Sequence, residues 1–258
     1  MRTKTKHSGK RIALIIILAA LILCAGGCFL YLNDYYRADA EVNEYFEKSE
    51  DVSISYIKDG LYLDGPGTEN ALIFYPGAKV EYTAYIPLAY KLAERGIDVF
   101  IIKMPCNIAV LGMNKADDIL SEYDYEHMYI GGHSLGGAVA AIYAANHADS
   151  ADLDGLILLG AYPTKDLASS GMSVLTIYGS EDKVLEMEKV EAGRSLLPEN
   201  ATETIIAGGN HAQFGCYGEQ KGDGTALISA EEQWERTAEE IINMIDAERF
   251  GDKRYDKI

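Results

Sequence analysis

Residues 128–137 read MYIGGHSLGG, and this stretch decides the fold. Its first four residues predict a buried strand, and the small apolar residues from Gly137 to Ala145 predict a helix packed closely under a sheet. Between them, residues 132–136 match the pattern G-x-S-x-G. Glycines in a tight strand-to-helix turn make room for neighbouring backbone, so that the turn can expose the hydroxyl of Ser134 above the sheet. The sequence therefore predicts a nucleophilic serine at residue 134.

The chain on both sides of this turn alternates short apolar runs with helical segments. Apolar strands of this length, separated by helices, are typical of a parallel sheet covered on both faces. Residues 52–57 and 61–63 alternate around Asp59-Gly60 and predict a β-hairpin before the sheet proper. The predicted class is α/β, with a mostly parallel central sheet. Its central strands are expected at residues 71–75, 97–102, 128–131, 156–159, 174–178 and 202–206.

Two further segments complete the predicted architecture. Only 14 residues separate Leu159 from Val174, so no large lid domain is expected. The last helix opens on a capping box and carries an apolar face. The box is formed by Ser229 and Glu232, and the face by Trp234, Ala238, Ile241 and Ile245.

A serine hydroxyl is a weak nucleophile at neutral pH and needs a base. His211 follows the last predicted strand inside a long glycine-rich segment, residues 207–228, whose length suggests a functional role. Its part from Gly208 to Gly224 is expected to supply much of the rim of the site. The other four histidines lie in the basic N-terminus, before the serine strand, inside its turn or near a helix end: His7, His127, His133 and His147. Elimination therefore favours His211 as the base.

The base must be held in one tautomer by a carboxylate. Asp182 follows the strand at residues 174–178 and is the preferred candidate, with its neighbour Glu181 as the alternative. The oxyanion formed during acyl transfer needs two N–H donors. We expect these to be the amide of Leu135, directly after the serine, and the amide of Ala78, in the turn after the first central strand.

From about Ala71 to Ala247 the chain resembles an α/β-hydrolase and is similar to small bacterial dienelactone-hydrolase-like proteins. The resemblance is carried by the stretch FYPGAK at 74–79, the serine turn, the turn at 179–182 and the stretch GGNH at 208–211. It implies hydrolysis of carboxylic esters or related acyl compounds through an acyl-enzyme, with the triad Ser134, Asp182 and His211 and without metal or cofactor. The chain departs from its relatives at two positions. Dienelactone hydrolases proper use a cysteine nucleophile where this chain has Ser134, and Pro76 stands where many esterases have histidine.

The charge of the chain is divided unevenly. Residues 1–32 contain five basic residues and no acidic one, whereas the remaining 226 residues contain 18 basic and 40 acidic residues. A surface this acidic repels a phosphate backbone, which excludes nucleic acid as an expected partner. At 48% hydrophobic and 24% charged, the composition is that of a folded globular chain.

The segment after the basic cluster, residues 12–32, contains no charged residue. As a helix it would span about 31 Å, close to the hydrocarbon core of a bilayer. The basic flank predicts a cytoplasmic N-terminus and an exported domain. The alternatives are a cleaved signal peptide and a lipoprotein anchored at Cys28. The predicted organisation is a cytoplasmic stub at 1–11, an anchor at 12–32, a tether or short amphipathic helix at 33–50 and a catalytic domain at 51–258.

The sequence leaves several alternatives open. Cys106 and Cys216 of the exported domain are either a disulfide or two free thiols. Without a lid, the site is expected to be open and to favour small or surface-displayed acyl esters. The same triad could transfer the acyl group to an acceptor other than water, and a non-catalytic binding module could keep the same fold.

Overall fold

The computed structural model describes residues 6–48, 51–150 and 152–250. Contacts divide the chain into two units, one ending at Tyr35 and the other beginning at Tyr36. The first unit is helix α1, Lys6–Asn33, whose part Arg11–Asn33 is long and apolar enough to cross a membrane and is not buried within the protein. This agrees with an anchor or a signal sequence. The predicted stub includes residues 1–5, which lie outside the described residues, as do residues 49–50 of the tether and 251–258 of the catalytic domain.

The second unit is built on an eight-stranded sheet with the strand order β1-β2-β4-β3-β5-β6-β7-β8. Strands β1 and β2 form the predicted antiparallel hairpin, and β2 pairs antiparallel with β4. All remaining neighbours are parallel, which confirms the mostly parallel sheet. The strands are β1 Ser53–Ile57, β2 Gly60–Asp64, β3 Asn70–Tyr75, β4 Ile97–Ile102, β5 His127–His133, β6 Gly155–Leu159, β7 Ser173–Gly179 and β8 Thr202–Ile206.

Helices cover both faces of this sheet because its central strands are apolar on both sides. In β3, Leu72 and Phe74 belong to one core cluster, and Ala71 and Ile73 belong to the other. Helices α2 and α6 pack on the first cluster and α3 and α4 on the second. The helices are α2 Ile86–Ala93, α3 Ala116–Glu122, α4 Leu135–Asn146, α5 Met187–Gly193 and α6 Ala230–Phe250.

Helix α6 shows how the sequence pattern produces its packing. Ser229 Oγ accepts a hydrogen bond from the Glu232 N–H (3.1 Å), which is half of the predicted capping box. The Glu232 carboxylate accepts a hydrogen bond from Arg236 (2.6 Å), and within the described residues it accepts none from the Ser229 N–H. The predicted apolar face is buried throughout, with Trp234, Ala238, Ile241 and Ile245 each at most 2% exposed.

The segment expected to be a tether is part of the second unit from Tyr36 onward. Its residues Ala40–Glu47 form a 3-10 helix that buries Val42 and Tyr45 against the core cluster of α2. Between β6 and β7 the chain from 160 to 172 contains no helix, in agreement with the expected absence of a large lid domain.

Candidate active site

Ser134 lies at the sharp turn between β5 and α4. Its backbone has φ 53° and ψ −124°, a conformation in which a residue with a Cβ is strained. The flanking glycines are required by the packing of the turn. A Cβ on Gly132 would lie 2.5 Å from the Tyr75 carbonyl oxygen, and a Cβ on Gly136 would lie 2.1 Å from the same atom. The serine turn therefore has the geometry that the G-x-S-x-G pattern predicts.

Asp182 and His211 form a buried pair. Nδ1 of His211 lies 2.7 Å from Oδ2 of Asp182, and both side chains are 1% exposed. The other carboxylate oxygen, Oδ1, accepts hydrogen bonds from the N–H groups of Val184 (2.9 Å) and Leu185 (2.8 Å). Glu181, the alternative partner, instead accepts a hydrogen bond from its neighbour Ser180 at the surface. The structure therefore brings Asp182, and not Glu181, to His211.

Ser134 and His211 line the same cleft, whose volume is about 230 Å³. Nε2 of His211 is buried and makes no hydrogen bond within the described residues, so the serine hydroxyl is not yet bonded to it. Such contacts are commonly loose before substrate binds. The remaining lining is largely apolar and consists of Leu135, Ala138, Gly160, Ala161, Tyr162, Val184, Leu185 and Glu186.

The expected oxyanion donors lie on two elements that meet at the serine turn. Leu135 is the first residue of α4, where backbone N–H groups have no partner inside the helix. Ala78 lies in residues 76–79, which we call the β3 turn. Its neighbours are engaged, since the Gly77 N–H donates to Tyr85 Oη (3.0 Å) and the Lys79 N–H donates to the carbonyl oxygen of Asn107 (2.8 Å). Ala78 is exposed and lies outside the lining of the cleft.

His133, which the sequence suggested was only a spacer in the turn, contacts the site directly. Its ring centroid is 4.4 Å from that of His211, and its Nδ1 is 2.8 Å from Oη of Tyr85. Burial, together with the neighbouring His211, holds the pKa of His133 well below its usual value of 6.5. Tyr85 therefore connects the β3 turn, through the Gly77 N–H, to the uncharged imidazole of His133, which contacts the ring of His211. The histidine at 133 was a visible signal for this contact, whereas nothing in the sequence marked Tyr85.

The glycine-rich segment 207–228, which we call the His211 loop, does not form the rim expected of it. Only its His211 lines the cleft, and the rim is formed by the chain after β6 and after β7. The loop is fixed in place by bonds on both of its sides: the Ala212 N–H donates to Asp223 Oδ2 within the loop (2.8 Å), and Gln233 of α6 bonds both backbone groups of Asn210. The loop is thus a support for one catalytic candidate.

Cys106 and Cys216 lie outside the lining of this cleft. Cys106 and Cys216 are free thiols, the first exposed and the second buried, which resolves the alternative left by the sequence. Burial raises the pKa of Cys216 to about 12. Among the described residues, no three His, Cys, Asp or Glu side chains are grouped so that they could hold a metal ion.

Comparison with solved structures gives neighbours with the same fold at low sequence identity. A dienelactone hydrolase from Anabaena variabilis is 16% identical over 75% of this chain and 99% of its own, with a TM-score of 0.56. An esterase from Pyrobaculum calidifontis is 14% identical over 80% of this chain and 90% of its own, with a TM-score of 0.57. A fungal esterase from Rhizomucor miehei is 12% identical over 80% of this chain and 86% of its own, with a TM-score of 0.55.

A search among curated protein sequences finds no match. A family model described as "Alpha/beta hydrolase family" matches residues 71–235. This range includes β3 except its first residue, β4 to β8, the serine turn, the Asp182–His211 pair and the start of α6. By this match, and by the strand order and serine turn that accompany it, the chain belongs to the α/β-hydrolase family.

Proposed function

We propose that this protein is a serine hydrolase that cleaves carboxylic esters or related acyl compounds through an acyl-enzyme. The observation that carries the proposal is the buried His211–Asp182 hydrogen bond beside a cleft that also contains Ser134 at a strained turn. Burying an ionisable pair is unfavourable unless its hydrogen bonds are made. A binding module would have no need of a pair held in this way next to a serine.

In the first half of the reaction, Ser134 Oγ attacks the acyl carbon while His211 Nε2 accepts the hydroxyl proton. Asp182 accepts the Nδ1–H of His211 and so fixes the tautomer in which Nε2 can act as the base. The amides of Leu135 and Ala78 stabilise the oxyanion. His211 then gives its proton to the leaving alcohol, and the acyl group stays on the serine.

In the second half, water takes the place of the alcohol. His211 Nε2 removes a proton from the water, the resulting hydroxide attacks the acyl carbon, and the proton returns to Ser134 Oγ as the carboxylic acid leaves. The cleft supports small acyl groups, because its volume is about 230 Å³ and Ala138, Ala161 and Val184 line it. Esterases among the structural neighbours agree with this substrate class.

We further propose that helix α1 anchors the protein in the membrane, with the N-terminus in the cytoplasm and the catalytic unit outside. The apolar part of α1, Arg11–Asn33, has the length needed to cross a bilayer. The basic residues before it favour this orientation.

The serine mechanism is tested with the full-length chain in detergent. A fluorophosphonate probe should label the wild type and leave Ser134→Ala unlabelled, and Ser134→Ala should lose turnover of p-nitrophenyl acetate. Ser180→Ala is the matched control, because Ser180 lies at the surface and bonds Glu181 and the Gly208 N–H. Equal labelling of the wild type and Ser134→Ala would refute the proposal. Added alcohols would yield new esters if the acyl group were transferred to an acceptor other than water.

A further inference from the structure

The chain immediately before the 3-10 helix runs between two parts of the candidate site. We call its residues Tyr36–Asp39 the strap. On one side, the Tyr36 N–H donates to the carbonyl oxygen of Lys79 (2.7 Å), and the carbonyl oxygen of Tyr36 accepts from the Glu81 N–H (2.8 Å). The Ala38 N–H adds a bond to Oε2 of Glu81 (3.1 Å). The strap is therefore fixed to the last residue of the β3 turn and to the chain after it.

On the other side, the strap is bonded to the His211 loop. The Asp39 N–H donates to the carbonyl oxygen of Cys216 (2.9 Å), and Oη of Tyr36 accepts from the Lys221 N–H (3.1 Å). The ring of Tyr36 also packs against Tyr217, with 5.5 Å between centroids. Five hydrogen bonds and one ring contact thus connect two segments that are far apart in the sequence.

The β3 turn needs such support because its backbone is strained. Lys79 has a φ of 57°, a left-handed conformation that is unfavourable for a residue with a Cβ. The turn is held at the Gly77 N–H by Tyr85, at the Lys79 N–H by Asn107 and at the Lys79 carbonyl by the strap. The amide of Ala78, between these fixed points, makes no hydrogen bond within the described residues.

We propose that the strap is a positioning element for the hydrolysis proposed above, on which this inference rests. Through Tyr36 and Asp39 it holds the turn that carries the Ala78 amide and the loop that carries His211 at a fixed separation. Oxyanion stabilisation and proton transfer both depend on placement within fractions of an ångström. The strap lies outside residues 71–235, the range that the family model matches.

The test removes one strap bond by a substitution that the backbone accepts. Asp39 has φ −68° and ψ 154°, which suits proline, so Asp39→Pro removes chiefly the N–H that bonds Cys216. Asp39→Ala keeps that N–H and removes only the carboxylate. Ala40→Pro places the same ring one residue later, at the first position of the 3-10 helix, where proline is tolerated.

We expect Asp39→Pro to lower kcat for p-nitrophenyl acetate about tenfold or more, with KM within about twofold of the wild type. A boronic acid that mimics the tetrahedral intermediate should bind more weakly by the same factor, because it occupies the oxyanion site. Asp39→Ala and Ala40→Pro should stay within about twofold of the wild type in both assays. All rates are taken per active site labelled by fluorophosphonate, in the full-length chain in detergent.

Tyr36→Phe provides a second variant should Asp39→Pro fail to fold. It removes the acceptor of the Lys221 N–H and keeps the ring contact, and we expect kcat to fall about two- to fivefold. If the strap had only a structural role, these variants would have a lower melting temperature but an unchanged kcat and boronate affinity. That result would overturn the proposal. An equal loss in Ala40→Pro would overturn it as well. Absence of turnover and labelling in the wild type would instead refute the proposed function itself.

Discussion

Gly160 offers the sharpest test of the geometry around His211. It is the first residue after β6 and has a φ of +52°. A Cβ at this position would lie 2.9 Å from Nδ1 of His211 and 3.3 Å from Oδ2 of Asp182, whereas ordinary contacts begin near 3.4 Å. The Gly160→Ala variant must therefore displace the imidazole or its own backbone by roughly half an ångström. Because a displacement of 1 Å can cost about 100-fold in rate, we expect kcat/KM to fall about 10- to 100-fold, equivalent to about 1.4–2.7 kcal/mol.

Gly171→Ala is the matched control for this variant. Gly171 also has a positive φ, +73°, and a Cβ there would meet nothing within 4 Å. Both variants should lose about 1–2 kcal/mol of unfolding free energy to the left-handed backbone, as measured by urea denaturation. Only Gly160→Ala should lose turnover of p-nitrophenyl acetate per folded molecule. A Gly160→Ala protein with wild-type kcat/KM would refute the placement of the His211–Asp182 pair against this glycine.

Two other predictions concern the carboxylate and the buried histidine. Asp182→Asn should lower kcat about 10⁴-fold, because the imidazole of His211 loses its fixed tautomer. Glu181→Gln should stay within about twofold of the wild type in the same ester assay. A larger loss in Glu181→Gln would contradict the assignment of Asp182 as the partner of His211. His133 is uncharged when folded because burial lowers its pKa, whereas in the unfolded chain it takes up a proton below about pH 6.5. The free energy of unfolding should therefore fall with decreasing pH, and this one group contributes up to about 1.4 kcal/mol per pH unit below that value. Urea denaturation at pH 7, 6 and 5 should give a smaller slope for His133→Asn than for the wild type, and equal slopes would count against a buried, uncharged His133.

The fold could be predicted because its central strands are buried on both faces. Such strands appear in the sequence as apolar runs, and the predicted residues 71–75 and 156–159 lie within β3 and β6, which are buried at every position. The Asp182–His211 contact was also predictable, since residues that follow neighbouring parallel strands meet at one edge of the sheet. In each case a local pattern was sufficient.

The rest of the site depends on contacts that leave no local pattern. Tyr85 reaches His133 across 48 positions of sequence, and its aromatic neighbours in the core are indistinguishable from it in the sequence. The strap is held mostly by backbone groups, which every residue possesses. The His211 loop was wrongly expected to form the rim because its length and the absence of a lid suggested that it bordered an open site. Its Phe214 and Tyr217 are instead buried in the core, and this anchoring turns the loop inward.

The position of the strap bears on how the protein could be matured or shed. The strap begins at Tyr36, downstream of both the small residues at 25–27 and Cys28. Cleavage or lipidation at those upstream positions would leave every strap bond intact, so we expect the proposed hydrolysis to persist in a released or lipid-bound form. A protease that cut between Tyr36 and Asp39 would disconnect the β3 turn from the His211 loop. Cleavage upstream of the strap would therefore release the protein with its activity, whereas cleavage inside the strap would end that activity.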